Sequence, residues 1–441
     1  MVIKMIFKKK DKIQKSKEII KREQLKIKEE KRKNRLINKI IGRKQKNAPI
    51  TLKEQITSMI YFEILGFILC LLLFFALTGG RNYIKMYAEL NKLINVYDTI
   101  TSNYYGKIDK QAMIDNAIES MMSEAGDDYT NYTDKDNTTT FLENIDATYE
   151  GIGCTVSVNE NNEIYVVDIF NDSPAKEAGI EKNDVILKID DQDFIGKTSA
   201  DMANYVKKNK NTKIKLLIRR NDEEKEITLK RKKVNIPTVV GEIFEKDNKT
   251  IGYINISVFS AQTYEQFRKE LNKLEKKGIQ GLIIDVRNNT GGYLATAKDI
   301  SSMFLKKGDI IYRLEKDKKI EKIKDATKES RNYPVAVIIN AASASASEIL
   351  ASAIKESYKG IIVGTNSFGK GTVQKTKKLS DGSMIKYTVQ KWLTPNGNWI
   401  DEVGVTPTNF VELRTANEKE ITIGEDRQLE TAKNLLFEKI N

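Results

Sequence analysis

PVAVIINAASASASEILASAI (Pro334–Ile354) is an apolar run, then a turn of alanines and serines, then a second run with helical spacing. Val335, Val337, Ile338 and Ile339 suit a buried strand, and the residues after the turn suit a helix. The same alternation extends on both sides. TIGYINI (Thr250–Ile256), a helix over Tyr264–Lys277, GLIIDV (Gly281–Val286) and a helix near Ala295–Leu305 precede it; the helix after the turn runs over Ser347–Ser357. Strands and helices taking turns predict an α/β (α+β) core around a mixed sheet. The turn also bears on chemistry. A serine opening that helix sits at the positive end of its dipole, where backbone N–H groups are free. The same residues equally describe an ordinary helix cap with a small-residue packing face. Local sequence does not choose among Ser343, Ser345 and Ser347.

Two further segments carry possible chemistry. In GTNSFGKGTVQ (Gly364–Gln374), Lys370 stands between two glycines on a tight turn. To act as a base it must be neutral, which burial without a counter-ion achieves by lowering a pKa of about 10.4. A phosphate-gripping loop is excluded because Gly371 stands where Ser or Thr should hold magnesium. GLIIDVRNNTGGYL (Gly281–Leu294) is a strand running into an Asn/Gly turn, whose Gly291 and Gly292 could offer amides to an oxyanion. The same text also describes a plain strand-ending turn.

Composition narrows the chemistry. The 441 residues contain no histidine, which removes Ser-His-Asp and Cys-His mechanisms and histidine-based zinc sites. Any nucleophile must be activated by lysine or a carboxylate. Cys70 lies in an apolar run and Cys154 beside a glycine turn, so both read as small packing residues. Residues 1–47 hold 19 Lys+Arg against 5 Asp+Glu, a net +14, which leaves −1 on the rest of a chain whose total is +13. The basic character is therefore a tail, and no nucleic-acid partner is expected.

After the tail, MIYFEILGFILCLLLFFALTGG (Met59–Gly80) has a single charge, Glu63, and no polar face over Ile64–Leu77. Its 22 residues at about 1.5 Å each span a hydrocarbon core of about 30 Å, so a retained transmembrane anchor is expected. The basic flank puts the N-terminus in the cytoplasm and the rest outside. Arg81–Ala147 reads as helical, interrupted by a polar stretch at Gly126–Thr140. From Thr148 to Lys233 the text turns to short strands around a helical SADMANYVKKN.

Several of these motifs recur together in order. TIGYINISVFSAQTYEQF, GLIIDVRNNTGGYL, NAASASASEILASAI, VGTNSFGKGTVQ and LSDGSMIKYTVQKWLTPNGNWI closely resemble the C-terminal processing peptidases, or tail-specific proteases. The likeness runs from the anchor almost to the C-terminus. It implies a ClpP/crotonase-like peptidase core with a Ser-Lys dyad of Ser345 and Lys370. Gln374 would assist, one helical turn beyond the lysine. The resemblance also implies an oxyanion hole from the amides of Ala346 and Gly291, less firmly Gly292. YEGIGCTV and NDSPAKEAGIEKNDVILKIDDQDF look like an inserted PDZ domain, in which Gly151, Ile152 and Gly153 would take a terminal carboxylate. Asn183 stands where the family has glycine, which Asn tolerates in a left-handed turn. Thr408 and Asp128 depart from a usual acidic residue and a usual proline.

The expected organisation is a basic tail over 1–58, an anchor over 59–80 and a helical region over 81–147. A PDZ-like domain over 148–233 and a Ser-Lys peptidase core over 234–441 follow. The expected function is a membrane-anchored serine endopeptidase that recognises C-terminal tails of extracytoplasmic proteins, with no metal or organic cofactor. Homo-oligomerisation stays open. The rival readings are a non-catalytic PDZ scaffold for C-terminal peptides and an acyl-CoA enzyme of the crotonase type.

Overall fold

The computed structural model describes residues 22–35, 52–77, 83–209, 212–413 and 426–440. The chain divides into two compact units, residues 1–108 and 109–441. In the first, helices cover 22–35, Leu52–Leu77 and Tyr83–Asn103. Leu52–Phe75 is long and apolar enough to cross a membrane, and none of it is buried within the protein. The end of the expected anchor (78–80) and most of the basic tail lie outside the described residues.

The second unit opens with the helix Lys110–Ser123 and a short strand, Asn131–Thr133. The polar stretch that the sequence marks as a break is partly helix. Asp134 caps Lys135–Asp146 by accepting from the amide of Asn137 at 2.8 Å, the preferred role of Asp at such a position.

Residues 151–230 form a small β body of Cys154–Val158, Ile164–Ile169, Val185–Ile189, Lys213–Arg220 and Glu223–Lys230. Alternation in KIKLLIRR buries Ile214, Leu216 and Ile218 on one face, against Ile164, Val166 and Ile186. Asn183 takes φ 69° in the turn before Val185–Ile189, as a residue replacing glycine there must. The body joins the core through two crossings, Thr148–Gly151 and Lys232–Asn235, which pair with each other antiparallel.

The core sheet runs β1 (Val239–Lys246), β2 (Lys249–Ile256), β3 (Gly281–Asp285), β4 (Val335–Ile339), β5 (Ile361–Gly364) and β6 (Asn409–Phe410), in that spatial order. β2 to β6 are parallel and β1 is antiparallel to β2. All five residues of β3 and of β4 are buried, the signature of strands covered on both faces. Thr263–Lys276, Leu294–Ser302 and Ala346–Ala353 cover one face through Phe267, Leu271, Ile300, Ile349 and Leu350. Arg427–Lys439 covers the other through Ala432, Leu436 and Phe437. A second sheet, not read from the sequence, contains Ile310–Lys316, Lys319–Lys324, Thr372–Lys378 and Met384–Leu393, with Asn131–Thr133 at its edge. The turn after β4 leads into the helix Ala346–Ala353.

Candidate active site

The three serines of that turn have different surroundings. Ser343 is buried and donates to the carbonyl of Val286 at 2.8 Å. Ser347 is buried and donates to the carbonyl of Asn289 at 2.8 Å. Both pin the turn to the segment after β3. Ser345 between them is partly exposed, and its side chain meets the amide of Glu348 in a capping box. Its backbone lies at φ 55°, ψ −110°, a conformation that costs a non-glycine residue about 1–3 kcal/mol and recurs at functional sites. Held so, Ser345 caps the helix Ala346–Ala353 and lines a cavity of about 1120 Å³.

Lys370, Gln374, Gly291 and Gly292 line the same cavity. Gly291 has φ 106°, and a Cβ there would stand 2.9 Å from Cβ of Ser345, so only glycine fits. Its amide already donates to Asn289 Oδ1 at 2.8 Å. The amides of Ala346 and Gly292 make no hydrogen bond among the described residues. Gly151, Ile152 and Gly153 are not part of this cavity; they sit, buried, in the small β body.

The lysine turn is fastened on three sides. Glu348 accepts from the amides of Gly369 and Lys370 at 2.6 and 3.0 Å, Asp401 from that of Gly371 at 2.8 Å, and the Trp392 indole donates to the Lys370 carbonyl at 2.7 Å. Lys370 Nζ makes no hydrogen bond among the described residues and lies 4.4 Å from the centre of the Tyr129 ring. Burial, aided by the charge of Lys386, lowers the Lys370 ammonium to about 8, against the pull of Glu348 and Asp127. Gln374 corrects an expectation. The segment from Lys370 to Gln374 is not a helical turn. Gln374 lies in the strand Thr372–Lys378, at a register shift after Val373, and its amide donates to Thr372 and Thr388. Such a bulge re-aims a side chain relative to its neighbours.

Three residues near the cavity went unread in the sequence. Glu348, fully buried, accepts from the Ser345 amide at 2.7 Å and the Ser367 hydroxyl at 2.6 Å besides the two lysine-turn amides. It ties the serine turn to the lysine turn. Burial pushes its carboxyl upward against those four donors. The spacing Ser345-x-x-Glu348 is a capping-box signal that could have found it. Tyr129 and Lys386 come from distant strands and turns, and nothing in their local sequence marks them.

Three family models match this chain. Residues 250–411 match Peptidase family S41, 151–230 a PDZ domain, and 78–137 the activating protease CtpB N-terminal domain. The chain is 38% identical over 322 residues to the carboxy-terminal processing protease CtpB of Bacillus subtilis (strain 168), covering 72% of this chain and 67% of that protein. It is 36% identical over 323 residues to a probable CtpA-like serine protease of Staphylococcus aureus (strain MSSA476), covering 73% and 64%. The solved photosystem II D1 C-terminal processing protease aligns over 72% of this chain and 86% of its own, at 25% identity and TM-score 0.44.

Proposed function

Since the chain belongs to peptidase family S41 as a C-terminal processing serine endopeptidase, we propose that it cleaves tail-bearing proteins through a Ser345–Lys370 dyad outside the cytoplasmic membrane. One observation carries the reading. A partly exposed serine and a half-buried lysine line one cavity, and the two turns that hold them share the carboxylate of Glu348. Neutral Lys370 takes the proton of Ser345 Oγ as that oxygen attacks the scissile carbonyl. The lysine must first leave the Tyr129 ring, which holds it only while it is charged. The amides of Ala346 and Gly292 hold the tetrahedral oxyanion, and Gln374 keeps the lysine side of the cavity in register. Lys370 then gives its proton to the leaving amine, and water hydrolyses the acyl ester with the same lysine as base.

The PDZ-like body brings substrates by their C-termini, its loop at Gly151–Gly153 taking the terminal carboxylate. Leu52–Leu77 anchors the chain, with the basic tail on the cytoplasmic side. On this reading the protein stays with membranes through an alkaline carbonate wash, and release by that wash refutes the anchor.

The deciding experiment follows cleavage of an unstructured protein with an apolar C-terminus by intact mass, between pH 6 and 10. A base at about 8 that must be neutral makes kcat/KM rise roughly tenfold per unit below that pH and level off above it. Amidating the substrate's C-terminus is expected to raise KM by about tenfold, the worth of one charge-assisted hydrogen bond. A profile flat from pH 6 removes Lys370 as the base. Equal KM values for acid and amide remove the tail-binding role of the PDZ-like body.

A further inference from the structure

The loop expected to take the tail carboxylate is already occupied by the chain itself. The amide of Gly153 donates to the hydroxyl of Tyr149 at 3.1 Å, and the amide of Cys154 approaches the same oxygen. The loop's carbonyls face elsewhere: Gly153 accepts from the amide of Phe170 at 2.9 Å, and Ile152 from that of Ala175 at 2.8 Å. The loop is thus fixed by its carbonyls while amides converge on one phenol oxygen. The ring is seated firmly. A Cβ on Gly151 would come within 2.1 Å of Tyr149 Cε2, so the ring lies against that glycine, and it meets Phe170 edge to face at 6.5 Å. Under this cover Gly151, Ile152 and Gly153 are all buried, although a docking loop should be open to its ligand.

From this arrangement we infer that the carboxylate subsite of the PDZ-like body is formed by the amides of Gly153 and Cys154, and that the Tyr149 hydroxyl is its resting occupant, displaced when a polypeptide C-terminus binds. The inference rests on the reading above that this body captures C-terminal tails. Exchange of occupants follows from hydrogen-bond strength. A phenol oxygen is a neutral acceptor, and burial keeps this one protonated by raising it to about 12. A carboxylate carries a full charge and makes the stronger bonds to the same amides. The tail therefore wins, at an affinity reduced by the bond it must first break. Tyr149 lies in the strand Thr148–Gly151, which pairs with Lys232–Asn235. The residue that yields to the tail thus sits where the body joins the core.

The test uses the full-length chain in detergent micelles with Ser345→Ala, so that the probe survives. The probe is a fluorescent ten-residue peptide ending in Leu-Ala-Ala, as free acid and as C-terminal amide, and the readout is anisotropy. Tyr149→Phe keeps the ring against Gly151 and Phe170 and removes only the competing oxygen. It is expected to bind the free acid about 5- to 10-fold more tightly, the worth of one hydrogen bond, and the amide as before. If both proteins prefer the acid but Tyr149→Phe binds it no more tightly, the hydroxyl is not the occupant, while tail capture stands. If neither protein distinguishes acid from amide, tail capture fails and the inference fails with it.

Discussion

Ser345→Ala is expected to lower the rate of tail-protein cleavage by about 10⁴- to 10⁶-fold, the range seen when a hydrolase loses its nucleophile. The substitution suits the site. Alanine keeps the Cβ at φ 55°, so the backbone strain does not change, and the Glu348 amide that meets the Ser345 side chain in the capping box keeps the Ser345 carbonyl as acceptor at 2.9 Å. The variant should therefore fold and melt like the parent, which isolates the chemical loss. Lys370→Met, which fills nearly the same volume beside Tyr129, should lose as much, because the two residues act as one unit. The double variant should be no worse than either single one. The readout is single-turnover cleavage at pH 9.5, where Lys370 is neutral in the parent. Activity within tenfold of wild type in Ser345→Ala would falsify the dyad. It would not transfer the role to Ser343 or Ser347, since both hydroxyls are buried and bonded to backbone carbonyls.

Glu348→Ala should rank next, although Glu348 touches no reacting atom in the proposed mechanism. It removes the shared acceptor of the Ser345, Gly369 and Lys370 amides and the Ser367 hydroxyl. Each buried donor left without an acceptor costs about 1–3 kcal/mol, less whatever relaxation recovers. The geometric cost is larger in its consequences. With the serine and lysine turns uncoupled, a displacement of about 1 Å is enough to lose about 10²-fold in kcat. Glu348→Gln retains one acceptor oxygen but turns an NH₂ toward the remaining donors, so it should fall between alanine and wild type. Measuring kcat and melting temperature for both variants separates the effects. If Glu348→Ala melts lower yet keeps kcat within twofold, the residue supports the fold without aligning the pair.

The core strands could be read from the sequence because strands covered on both faces become unbroken apolar runs, as in LIID and VAVII. The long apolar helix Leu52–Leu77 was legible for a similar reason, having no polar face over Ile64–Leu77. The three serines were not separable, because their local contexts are nearly identical. What distinguishes them are the carbonyls of Val286 and Asn289, 57 and 58 positions away. The strand setting of Gln374 was not legible because a spacing of four suits a helix and a bulged strand alike. The second sheet escaped notice because Met384–Leu393 buries only its two ends well and shows a mixed face between them. Tyr129 was hidden in a polar turn whose form depends on Asp127, which accepts from the amide of Tyr129 and the hydroxyls of Thr130 and Thr388.

The helix Arg427–Lys439 is fastened at both of its ends. Leu436, Phe437 and Ile440 are buried against the sheet, and Lys249 donates to the carbonyls of Phe437 and Ile440. Arg287 bridges Asp285 and Asp426 at the other end of the same helix. Clasped at both ends, this helix roofs the face of the core sheet that the other three helices leave bare, so loosening either clasp would open Ile251, Ile283 and Ile338 to water.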